Sequence, residues 1–149
     1  MTHANLVLFE AHRICSEAVI FAREYCIRME HSAALLMLVP MTAVAPSGGR
    51  RTLQETEAKA ATLLKGVAST LTADDIRVTL AVRIGPPEVE LIKYLAEAPP
   101  FNIIIWGSDK ALPHHTPFGK HHWMADAAGN LGCPLYSVAT RPDPKQEHP

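Results

Sequence analysis

Short apolar runs alternate along this chain with longer stretches carrying an apolar stripe at helical spacing, and this alternation limits the fold more than any other feature. Residues 6–10 read as a buried strand, after which Cys15, Ala18, Val19, Ala22, Cys26 and Met29 recur on one helical face. Residues 33–39 form a second apolar run ended by Pro40, and residues 52–71 repeat a helical stripe through Leu53, Ala60, Leu64, Val67 and Leu71. Residues 77–84 alternate, with Val78, Leu80, Val82 and Ile84 on one face and Arg77, Thr79 and Arg83 on the other, the pattern of an edge strand with one face toward solvent. Gly85-Pro86-Pro87-Glu88 opens a third helix. Prolines are tolerated in a first turn, Glu88 suits the positive end of the helix dipole, and Val89, Ile92 and Leu95 supply the stripe. Residues 101–106 are almost continuously apolar, as a strand buried on both faces should be. Met124, Ala125, Ala128 and Leu131 suggest a short fourth helix, and residues 135–139 read as the last strand. Strands separated by helices of this length pair in parallel through right-handed crossovers, so the expectation is a doubly wound three-layer α/β/α sandwich with a five-stranded parallel sheet. The pattern alone leaves the strand order open.

With 149 residues the chain suffices for one domain, expected over residues 1–140, and the proline-rich, charged residues 141–149 read as a disordered tail. Residues 40–51 read as a loop, and residues 42–51 as a flap. A net charge of -1 gives no electrostatic support for binding nucleic acid or anionic lipid. The first residues show no basic, long apolar or small-residue cleavage region, and charge, Gly or Pro interrupts every apolar run, so a cytoplasmic protein without a membrane span is expected. Cys15, Cys26 and Cys133 are odd in number and widely spaced, which favours packing residues over a disulfide framework or thiolate cluster.

Ligands of open α/β sheets gather where strands end and helix N-termini begin. The apolar run that stops at Trp106-Gly107-Ser108, with residues 109–120 behind it, is therefore the expected site. No paired carboxylates, nucleophile elbow or triad points to an enzyme, and Ser108 reads as a turn-forming or capping residue. The pairs His114-His115 and His121-His122 carry metal-ligating side chains, but their spacing matches no closed site and they read as exposed loop histidines.

The segment Gly85-Pro86-Pro87-Glu88, the strand end Ile103-Ile104-Ile105-Trp106-Gly107-Ser108 and the closing Cys133-Pro134-Leu135 together resemble the universal stress protein family, in element order over nearly the whole chain. The resemblance implies strand order 3-2-1-4-5, with the alternating third strand at one edge. It also implies dimerisation through the last strand, here Leu135, Tyr136, Ser137 and Val138.

Nucleotide-binding members of that family share a Gly-x2-Gly-x9-Gly-Ser/Thr loop whose glycines let phosphates approach backbone amides. This chain keeps Gly107. Lys110 stands where the second Gly belongs, and Gly119-Lys120 falls near the final Gly-Ser/Thr with one residue missing, while counting back from Cys133-Pro134 puts His121-His122 there instead. Glu10 takes the place of the family's usual first-strand Asp, and Trp106 that of its usual Met. The expectation is a regulatory, stress-response domain acting as a homodimer on an unknown protein partner, with a degenerate nucleotide site and no required cofactor. The first alternative is a sensor that binds ATP, AMP or another phosphate compound through Glu10, Val39, Gly107, Ser108, Lys110, Gly119 and Lys120. The second is a metal binder using His114, His115, His121 and His122.

Overall fold

A computed structural model describes residues 3–41, 49–98, 100–108, 124 and 131–139. The elements run β1 (Ala4–Glu10), α1 (Ser16–Met29), β2 (Ser32–Val39), α2 (Gly49–Thr72), β3 (Val78–Ile84), α3 (Pro87–Glu97), β4 (Ile104–Ser108) and β5 (Leu135–Ala139). The strands form one parallel sheet in the order β3-β2-β1-β4-β5. Strand β1 lies at the centre, which is why Leu6 through Phe9 are apolar without a break and wholly buried.

The sheet separates two cores because successive side chains of a strand point to opposite faces. Val7, Phe9, Leu35, Met37 and Val39 face α1 and α2, packing on Ala18, Ala22 and Cys26 of the first helix and Ala60, Leu64 and Leu71 of the second. Leu6, Leu8, Leu36, Leu38, Ile104 and Trp106 face the other way, onto Leu91 of α3 and onto Met124 and Leu131. Each buried leucine of these layers contributes roughly 1.5–3 kcal/mol of transfer free energy. The small residues along α1 let that helix lie close against the sheet.

Strand β3 is the sheet edge that its alternation indicates, with Val78, Val82 and Ile84 packed on the α1/α2 core. Its other face differs from the expected solvent-facing surface. Ala81 packs into the α3-side core, and Arg83 pairs with Glu97 at 2.6 Å and lies over the Tyr94 ring at 5.9 Å. Strand β4 begins at Ile104 rather than at residue 101, because Phe101 turns to stack on Tyr94 and the sheet pairing to β1 starts only at Leu6 opposite Ile104. Helix α2 takes up Gly49 through Arg51, so the expected loop loses its last residues to a helix. Residues 42–48, most of the fourth helix and the tail at 141–149 lie outside the described residues. Among the described residues no helix is long and apolar enough to cross a membrane.

Candidate functional site

The chain winds from β1 to β2 to β3 on one side of the sheet, then crosses to β4 and β5 on the other, so β1 and β4 are neighbours whose outgoing connections part. Such a switch point opens a crevice at the carboxyl ends of the strands. The pairing of β1 with β4 runs from Leu6 opposite Ile104 to Leu8 opposite Trp106, and Glu10 and Ser108 end their strands two residues beyond it.

Beyond β1 the backbone reverses sharply. Arg13 donates its N–H to the Glu10 carbonyl at 3.1 Å, and both central residues are left-handed, Ala11 at φ 53 and His12 at φ 59. That is the shape of a type I′ turn, which Gly, Asn or Asp ordinarily fills because a β-carbon disfavours it. Two bonds hold it here. Ala11 donates its N–H to the Leu38 carbonyl at 2.8 Å, and His12 Nε2 lies 3.2 Å from the Thr56 carbonyl oxygen in α2. A carbonyl can only accept, so Nε2 carries the proton and the crevice wall is tied to the second helix.

Gly107 lies on the α1 side of β4. A β-carbon there would stand 2.5 Å from Cys15 Cβ and 2.7 Å from Ala18 Cβ, so this glycine is needed for the approach of α1 whether or not anything binds nearby. Cys15 is the N-cap of α1 and makes no side-chain capping bond; its thiol lies 3.8 Å from the Val138 carbonyl of β5. Trp106 is 2% exposed and fills the α3-side core beside Met124, so its bulk goes into packing. The Val39 side chain is fully buried in the opposite core, and its carbonyl accepts the Gly85 N–H at 3.0 Å. Glu10 ends β1, Gly107 and Ser108 end the neighbouring strand β4, and the Val39 side chain lies in the core. Lys110, Gly119 and Lys120, and His114, His115, His121 and His122, lie outside the described residues. Among the described residues no group of three or more His, Cys, Asp or Glu side chains could hold a metal ion.

A second polar cluster lies at the amino ends of the strands. Asn5 is wholly buried in β1, with Nδ2 donating to Cys26 Sγ at 3.4 Å and Oδ1 lying 3.3 Å from His31 Nδ1. Burial, and then the neighbouring His3, hold the His31 pKa below the usual imidazole range, while burial raises the Cys26 thiol. His3 and Tyr25 pack against the His31 ring at centroid distances of 5.2 and 5.7 Å. The signal for this cluster was an asparagine standing inside an otherwise apolar strand, a choice that needs buried partners. The opposite edge of the sheet is β5, where the Tyr136 ring packs tilted against Phe21 of α1 yet stays 47% exposed.

No protein-family model matches the chain, and no curated protein does. Solved structures do. A universal stress protein from Archaeoglobus fulgidus superposes with a TM-score of 0.64 at 17% identity, covering 93% of this chain and 94% of its own. A universal stress protein family protein from Arabidopsis thaliana, solved with AMP bound, gives 0.63 at 15% identity over 97% of this chain and 96% of its own. A universal stress protein in complex with cAMP gives 0.66 at 13% identity over 92% and 98%. At these identities the likeness speaks for the fold.

Proposed function

We propose that this chain, which has the fold of the universal stress proteins, is a regulatory domain of that kind, working as a homodimer that engages a protein partner and carrying a degenerate nucleotide site. The observation that supports this reading is the contrast between the two sheet edges. Strand β3 bears Arg83 and follows Arg77, and charges on an edge oppose pairing with another chain. Strand β5, with the sequence LYSVA, bears no charge at all. Ile104 donates its N–H to the Pro134 carbonyl at 2.9 Å, so in the parallel ladder Tyr136 and Val138 also turn their backbone groups toward β4, while Leu135 and Ser137 turn theirs outward. That outward row, flanked by the exposed Tyr136 ring, is suited to pairing with a second copy about a two-fold axis. Light scattering on the eluting full chain tests the reading: a mass of two chains is expected, and a single-chain mass at micromolar concentration overturns it.

The second reading, a sensor of ATP, AMP or another phosphate compound, is favoured by the two fold neighbours solved with AMP and cAMP and by Glu10 and Ser108 ending the adjacent strands β1 and β4 at the switch point. On that reading Lys110, Gly119 and Lys120 complete the site. Freshly purified chain is heat-denatured and its supernatant assayed for nucleotide, and ATP is titrated calorimetrically. Nucleotide in either experiment supports the sensor; absence from both supports the degenerate site.

A further inference from the structure

At the amino ends of β1, β2 and β3, separated from the crevice by the length of the strands, the described residues line a cavity of about 510 Å³. The space is left because these strands start on small side chains. Ala4 opens β1 and Ser32, Ala33 and Ala34 open β2, whereas the same strands carry Leu6, Leu35 and Leu36 further along. Val78 and Thr79 of β3, with Pro100 and Phe101 ahead of β4, add to the lining. The aromatic wall is held in place. Phe101 stacks on Tyr94 of α3 with centroids 6.0 Å apart and planes 9° from parallel. The next residue, Asn102, donates its N–H to the Ala4 carbonyl at 2.8 Å and its Nδ2 to the Tyr25 hydroxyl of α1 at 3.0 Å. Contacts to two helices and to β1 therefore fix this wall before anything binds, and the volume and apolar lining are those of a small-molecule site.

The charge on the lining is a second and independent observation. Arg77 is its one charged residue among the described residues, and it is exposed. Its backbone is anchored, since the Arg77 carbonyl accepts the Ala33 N–H at 2.9 Å. Asp74 pairs with Arg23 instead, and among the described residues Arg77 makes no ion pair with Asp75 or with any other carboxylate. Ser32 Oγ donates to the His3 carbonyl at 3.3 Å, while the Thr79 hydroxyl makes no hydrogen bond among the described residues and is left to donate. A guanidinium takes a carboxylate through two parallel N–H bonds. The complement of an apolar cavity with one such group is an apolar molecule with one carboxylate; an amine would meet like charge.

We propose that this cavity binds a small aromatic monocarboxylate, its carboxylate held by the Arg77 guanidinium and the Thr79 hydroxyl and its ring set against Val78, Pro100 and Phe101. The test is calorimetric titration of the full chain with phenylacetate, phenethylamine and acetate, with the backbone amides followed by NMR. Phenylacetate should bind and shift the amides of Ala34, Val78 and Thr79. Phenethylamine, which has the ring and the opposite charge, and acetate, which has the charge and no ring, should each bind at least about tenfold more weakly. Arg77→Gln, an exposed change whose folding circular dichroism checks, should weaken phenylacetate by about tenfold. Absence of binding at millimolar phenylacetate, equal binding of either control, amide shifts that leave Ala34, Val78 and Thr79 in place, or an unchanged affinity in folded Arg77→Gln would each overturn the proposal.

Discussion

Gly107 and Cys15 stand so close that no β-carbon fits between β4 and α1: one built on Gly107 falls 2.5 Å from Cys15 Cβ. The glycine at the strand end therefore has a packing reason to be there, and its presence alone is weak evidence for a phosphate cradle. Gly107→Ala should lower stability by about 1–3 kcal/mol, since both obstructing atoms are stiff β-carbons on a helix packed against the core. Gly66→Ala in α2, where nothing lies within 4 Å, should raise it by about 0.5–1 kcal/mol. Urea midpoints of the two variants against the parent chain decide the matter; equal midpoints would contradict the geometry.

The turn after β1 stores strain at the crevice. Replacing Ala11, left-handed at φ 53, by Gly should stabilise the chain by about 0.5–1 kcal/mol, because glycine enters that region without a steric penalty. His12→Ala should do the reverse, by about 1 kcal/mol, through loss of the bond to the Thr56 carbonyl. Thermal unfolding of both variants provides the check, and shifts of the same sign would argue against a turn held by that bond.

Stability should depend on His31. Its pKa is lowered in the folded chain, first by burial and then by His3, so the folded state binds this proton more weakly than the unfolded state does. The His31 contribution is then complete above about pH 6.5 and is lost progressively as the pH falls from there through the folded value. Denaturant midpoints of the parent chain and His31→Gln, compared at neutral and mildly acidic pH, isolate this effect. The parent should lose more stability than the variant on acidification, and equal losses would contradict the assignment.

The sheet was legible in the sequence because β1 and β2 are buried on both faces and leave an apolar run that nothing else explains, while β3 alternates as an edge strand must. The ends of elements were harder. Phe101 is apolar enough to extend β4, yet it stacks on Tyr94, and only the three-dimensional neighbour decides between those uses. The same holds at the crevice. The end of β1 at Glu10 could be read from the pattern, but the role of Gly107 depends on Cys15 and Ala18, distant in sequence, and the His12 bond spans to α2. The Asn5, Cys26 and His31 cluster joins β1, α1 and the start of β2, so no local spacing announces it.

The reading of this chain as a dimeric regulatory domain rests on the β5 edge, and Ser137 offers a narrow way to test it. Its backbone groups turn away from β4, so Ser137→Pro removes an outward N–H and leaves the β4–β5 ladder intact. Sedimentation equilibrium of the parent and of Ser137→Pro, with circular dichroism as the control for folding, is the most direct measurement. A dimeric parent and a folded monomeric variant are expected; a monomeric parent, or a folded variant that remains as dimeric as the parent, would contradict pairing through β5.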